Sequence, residues 1–410
     1  MGARATRPAP TPKARTVSSS NTGSGHGLRA QLYGRLPADQ LHGSALITEP
    51  AAARLLLVCA ETGPQRRWLV NQALAALVHQ DADRSILAID LSGAATPPPA
   101  AAPVPGLDWR TYAGEPWADQ IWQQLLPVLQ PWWELLDGAA AVAERPGRQE
   151  VPGLDAVLRC LFLADQCSGQ DTSQVPHTLV ILPPLEQALP MLQLACRGPD
   201  LLEGLWRPLL QWWSQTRQRL AQFELVLRLR LPSAESLELS ERWYGCLERL
   251  AQRLSPAAAT AEVLLAVAAE AADLGDLGAR VAALPLCGLP RLRLWLDADL
   301  PDAVAGQVQR QLAIPVLIGN QQRQDLDSQA WLRQPLPQQT VVWQACEGLK
   351  RCRLHLPGLQ REGLQVQRIG QILQIRSAGL RLAVPMPPGW SQLGCRSARI
   401  DSPWLAIDFE

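Results

Sequence analysis

The chain has 410 residues, 47% of them hydrophobic, and its 38 basic and 38 acidic side chains cancel to a formal net charge of zero. That is enough apolar chain for one large domain and a small one, and the charge balance argues against a general nucleic-acid binder. Nine scattered cysteines without a Cys-x-x-Cys pair exclude a zinc clamp or a thioredoxin-like motif, and no apolar run approaches the roughly 18 residues of a membrane span. A soluble, cytoplasmic protein with reduced thiols is expected.

Residues 1–28 are rich in Ala, Pro, Ser, Thr and Gly, carry Arg4, Arg7, Lys13 and Arg15, and contain no acid. Such a segment cannot bury a core and is expected to be a disordered basic tail. From Arg54 the pattern changes. Residues 54–60 form a short apolar run, as in a parallel strand buried on both faces, and Glu61 to Arg67 follow as a turn. Gly63 can reverse the chain and Pro64 suits the first turn of a helix, because the N–H it lacks would have no partner there. Trp68, Leu69, Ala73, Leu74, Leu77 and Val78 then recur at helical spacing, and residues 85–90 form a second buried strand. The unit is βαβ, and its helix N-terminus faces whatever lies past the first strand.

Phosphate is the usual occupant of such a place. A working phosphate-binding loop needs glycines, a Lys for charge and a Ser or Thr for magnesium. Here only Gly63 remains, Gln65 stands where a second glycine is needed, Arg66 substitutes roughly for the Lys, and Arg67 cannot hold magnesium.

Further along, residues 92–106 read as a loop. Gly114 to Asp137 have helical periodicity through Trp117, Trp122 and Trp133, broken by Pro127 and Pro131. A helix is expected from Pro152 to about Cys167, a strand at 178–182, and an apolar helix after Pro183-Pro184 to Cys196. A long helix follows from Asp200 to about Gln222, then a strand at 223–231, a helix capped by Ser233 and running through Leu254, and strands at 262–268 and 280–286. Alternating strands and helices imply an α/β fold, a doubly wound and mostly parallel sheet over about residues 45–318. A Gln-rich linker is expected at 319–340. In residues 341–410 the period changes to two, with Leu354/Leu356, Leu380/Leu382/Val384 and Leu405/Ile407/Phe409 alternating with polar residues, which predicts a separate all-β sandwich.

The order of features over residues 50–312 resembles the arsenite-pump ATPase (ArsA) family, which includes the guided-entry ATPases that carry tail-anchored membrane proteins. Residues 61–68 lie where that family has its Lys-Gly-Gly-x-Gly-Lys-Thr-Thr loop, Asp90 stands at its first-switch aspartate, and Pro152-Gly153-Leu154-Asp155 resembles its Pro-Gly-x-Asp/Glu helix start. Residues 179–194 resemble its Asp-Thr-Ala-Pro strand and helix, where Pro184 keeps the proline and Ile181 replaces the aspartate. Pro285-Leu286 resembles a late Pro-Leu element. The C-terminal part resembles the small heat-shock (α-crystallin-like) domain appended to some bacterial relatives, through Leu356-Pro357-Gly358-Leu359.

The resemblance implies a degenerate phosphate site at Gly63, Arg66, Arg67 and Pro184, with Asp90 as the catalytic residue if any activity persists. It implies no resident metal and no required cofactor, with ATP and magnesium as the ligands of a site that still binds. The family inserts its client-binding helices where Trp117, Trp122 and Trp133 fall, so a hydrophobic client helix is the implied partner, beside a second copy or an intact paralogue. The leading expectation is a non-hydrolysing, chaperone-like binding or targeting module. The alternatives are an active or nucleotide-binding ATPase and a structural partner of an intact paralogue.

Overall fold

Seven strands lie side by side and parallel in the order β3-β2-β4-β1-β5-β6-β7. They are β1 Leu55–Ala60, β2 Ile86–Asp90, β3 Leu107–Thr111, β4 His177–Ile181, β5 Ala261–Ala268, β6 Leu292–Asp297 and β7 Val316–Ile318. The computed structural model describes residues 53–410 apart from 82–83, 94–105, 113–115, 124–125, 127–152, 169–175, 228–240, 259, 269–273, 299–300, 320–327, 338–339, 347–348 and 391. The expected tail at 1–28 lies outside the described residues. Within residues 52–410 the chain forms one compact unit.

Strand β1 shows why the sheet is buried on both faces. Leu55, Leu57 and Cys59 belong to one core, and Leu56, Val58 and Ala60 to another. The helix α1, Gly63–Gln80, covers the second face with Leu69, Val70, Ala73, Leu74 and Leu77. The opposite face is covered by α2 (Leu154–Ser168), α3 (Leu185–Leu201), α5 (Glu241–Leu254), α6 (Leu274–Leu286) and α7 (Asp302–Leu312). Right-handed crossovers demand this split. The chain steps from β1 towards β2 on one side and from β4 through β5, β6 and β7 towards the other, so the connecting helices change face.

Between α3 and α5 the chain stays helical through a π-turn, Leu202–Trp206, into α4, Arg207–Leu227. The strand expected at 223–231 is therefore helical to Leu227, and residues 228–231 and Ser233 lie outside the described residues. The strand expected at 280–286 is also a helix, the second half of α6. Its apolar residues serve different sides: Leu277, Val281 and Leu284 face the sheet, while Ala282 and Leu286 face the C-terminal region. The expected linker contains a short helix, α8 (Ser328–Arg333), whose Trp331 is 2% exposed in the core beside α1. Buried Arg293 on β6 holds it there, donating to the carbonyls of Trp331 at 2.6 Å and Gln334 at 2.7 Å. Glu262 on β5 accepts from the same guanidinium and from Arg54 at 2.6 Å.

The C-terminal strands are β8 Val341–Cys346, β9 Leu349–His355, β10 Gln365–Ile369, β11 Ile372–Ser377, β12 Leu380–Pro385, β13 Cys395–Asp401 and β14 Trp404–Phe409. They make two antiparallel sheets, β10-β11-β12 and β13-β14-β9-β8, around a shared core that includes Cys352, Leu354, Leu373, Ile375, Leu405, Ile407 and Phe409. Ala282 and Leu286 of α6 join that core. Two further contacts fix the module to the α/β body: Arg197 of α3 donates to the Arg381 carbonyl at 3.0 Å, and Ser402 donates to the Gln311 carbonyl of α7 at 2.7 Å.

Candidate functional site

Strands β1 and β4 are neighbours whose following helices, α1 and α3, leave on opposite faces of the sheet. In an open parallel sheet this is the switch point, and ligands bind in the crevice beyond the carboxyl ends of those two strands. The crevice is bordered by the β1–α1 turn, by Pro183 and Pro184 after β4, and by the ends of β2, β5 and β6.

At the β1–α1 turn the donors that would cradle an anion are already engaged. Thr62 is the N-cap of α1, its hydroxyl accepts from the Gln65 N–H at 3.4 Å, and the Gln65 side chain accepts from the Thr62 N–H at 3.2 Å. This is a reciprocal capping box. Pro64 has no N–H, and the Arg66 N–H bonds the Thr62 carbonyl at 3.0 Å. At most the Gly63 N–H is left for a ligand. Gln65 is 1% exposed, and its carboxamide also donates to Asp297 at the end of β6, at 3.1 Å. A polar side chain thus fills the space where a glycine would leave room for phosphate.

The charged neighbours point inward as well. Glu61 accepts from the Ala268 N–H at 3.1 Å and pairs with Arg280 of α6, which also donates to Asp276 at 2.8 Å. Arg280 is held above its usual pKa by Glu61 and by its bond to Asp276, which together outweigh the opposing effect of its burial. Arg66 donates to the Ala60 carbonyl at 3.3 Å, and Arg67 is exposed. Cys59 donates its thiol to the Pro183 carbonyl at 3.5 Å, and burial pushes that thiol up to about 12. It ties β1 to the residue before Pro184 and is no nucleophile.

Asp90 at the end of β2 is 3% exposed, and its Oδ1 accepts from the Ser92 N–H at 2.8 Å and the Ser92 hydroxyl at 2.6 Å. The carboxylate closes its own turn. Ile181 is 3% exposed and places an apolar side chain where a metal-side carboxylate would be needed. Among the described residues no group of three metal-ligating side chains occurs. The residues present do not fit a magnesium nucleotide.

Gly63, Arg66 and Pro184 do come together around the switch point, but Arg67 faces solvent. Trp117 and Trp122 lie in a helical stretch over residues 116–123, and Trp133 lies outside the described residues. Trp122 is 5% exposed. Trp117 packs edge-on against Phe162 at 5.4 Å, Trp243 at 6.2 Å and Tyr112 at 6.4 Å. Both are packing positions. Of the groups that close the crevice, Gln65 is signalled locally only as a helix cap, through Thr62-x-x-Gln65, while its bond to Asp297 and that of Arg280 to Glu61 join residues more than two hundred positions apart and leave no local signal. No protein-family model matches the chain, and no curated protein matches it. Among the described residues no helix is long and apolar enough to cross a membrane.

Proposed function

We propose that the chain is a non-hydrolysing relative of the arsenite-pump ATPases. In this reading the α/β body is a rigid scaffold with a sealed nucleotide crevice, and it carries a small heat-shock-like β module as a chaperone-like binding unit. The observation that supports this best is Gln65. Its side chain caps its own helix and bonds Asp297, so opening the crevice for phosphate would break several hydrogen bonds and leave buried groups unpaired. The inward Glu61–Arg280 pair and apolar Ile181 support the same reading, because phosphoryl transfer depends on cations and a metal placed on the transferring charge.

Calorimetric titration of ATP with magnesium into the full chain tests it. The expected result is heat no larger than dilution and no magnesium-dependent hydrolysis above background. Turnover that disappears in Asp90→Asn would overturn the proposal.

A further inference from the structure

We propose that Arg376 and Arg381, with Arg197 beside them, form a binding site for a phosphate group where the three-stranded sheet meets α3. The site is separate from the β1–α1 turn and independent of whether that crevice is closed.

Arg376 on β11 and Arg381 on β12 are direct register partners, so their side chains leave the same face of the sheet. Both are exposed. Neither has an acidic partner among the described residues. Like charges directly opposite on adjacent strands repel one another and destabilise the pair. Arg197 adds a third guanidinium: it is half-buried, it donates to the Arg381 carbonyl at 3.0 Å, and its pKa is lowered by burial and by Arg381, against Asp200 on its own helix.

A second, unrelated observation lies on the same face. Gln374 is two residues before Arg376 on β11, is 1% exposed, and neither atom of its carboxamide has a partner. An unpaired buried amide is costly, and its N–H donors lie one row from the two arginines. An oxyanion held between the two guanidinium groups would relieve their repulsion.

The shape of the donors selects the class of anion. Each guanidinium is a planar fork that grips two oxygens. A carboxylate has two oxygens and is satisfied by one fork, whereas a phosphate group presents three or more and can be held by both.

The test is calorimetry on the full chain at constant ionic strength, with inorganic phosphate as the probe and O-phosphoserine in a second series to distinguish free phosphate from an ester. Saturable binding is expected, and Arg376→Ala or Arg381→Ala should each weaken it roughly tenfold or more. Arg396→Ala, on the other sheet, should leave it unchanged. Without phosphate, Arg376→Ala should melt no lower than the parent, because it removes a repulsion. Phosphate should raise the melting temperature of the parent and of Arg396→Ala only. Absence of saturable binding, or binding that survives the Arg376→Ala/Arg381→Ala double change, overturns the proposal.

Discussion

Gly278 of α6 and Gly358 of the Leu-Pro-Gly turn meet backbone to backbone: a Cβ on Gly358 would stand 2.3 Å from the Gly278 carbonyl oxygen. Gly358 also has φ +75°, which L side chains rarely adopt. The same helix meets the sheet through Leu277, Val281 and Leu284, the β module through Ala282 and Leu286, and Glu61 through Arg280. Helix α6 is thus the element through which the crevice and the β module are both anchored.

Gly358→Ala should therefore be strongly destabilising, by about 1–2 kcal/mol for the left-handed backbone and a further 1–3 kcal/mol for the collision. Gly278→Ala should cost less, since its Cβ would lie 3.1 Å from the Gly358 oxygen in an ordinary helical conformation. Urea unfolding of the two variants measures both. A loss below about 1 kcal/mol for Gly358→Ala would show that the two backbones separate at little cost.

Trp122→Ala should lower stability by about 3–5 kcal/mol, the loss for removing a buried aromatic side chain. Trp122 is 5% exposed beside Ala118 and Ile121 at 0% and 9%. Capture of an apolar helical peptide should be unchanged per folded molecule. Melting and peptide binding measured on the same variant separate a core tryptophan from a client groove, for which stability would hold and binding would fall.

The sequence announces β1, β2, β4 and β5 because each holds an uninterrupted apolar run, as at residues 179–181 in β4 and 263–268 in β5, which is expected of a strand buried on both faces. It hides β6 because Arg293 interrupts the run, and the charge is matched by Glu262, 31 residues earlier. Residues 280–286 are apolar enough for either element. Gly275 and Gly278 lie inside α6, and Gly278 is needed for the approach to Gly358. Residues 223–227 alternate like a strand but continue α4. At the crevice, the replacement of the glycine by Gln65 is legible, but its bond to Asp297, 232 residues away, is not.

Two buried histidines should make the protein acid-sensitive above the range where carboxylates titrate. His177 and His355 are 0% and 3% exposed, and burial holds both below the ordinary 6.5, helped at His177 by nearby Arg84. The folded state keeps them neutral while the unfolded chain takes up protons below 6.5. Stability is thus complete above that pH and falls as pH drops from 6.5 towards the depressed folded values, by up to about 1.4 kcal/mol per pH unit for each histidine. Urea midpoints between pH 8 and pH 5 measure the slope. His355→Phe, which keeps an aromatic ring against Trp404, should remove its share, and an unchanged slope would exclude His355 as a source.

Cutting the chain before Trp404 should unfold the β module while leaving the α/β body folded. Strand β14 lies between β13 and β9, so its loss strips the middle from the four-stranded sheet. Leu405, Ile407 and Phe409 are each 0% exposed, and Phe409 packs against Trp390 and Trp343 at ring separations of 5.9 and 6.2 Å. Burying such a side chain contributes about 1.5–3 kcal/mol, so losing three exceeds what a module of this size holds in reserve. The Asp408–Arg351 pair and the cover over Ala282 and Leu286 would go with them. Limited proteolysis read by mass spectrometry should then show cuts throughout residues 341–403 and a protected body whose melting temperature is slightly lower. Continued protection of residues 341–403 would mean that α6 and the remaining strands suffice to hold the module together.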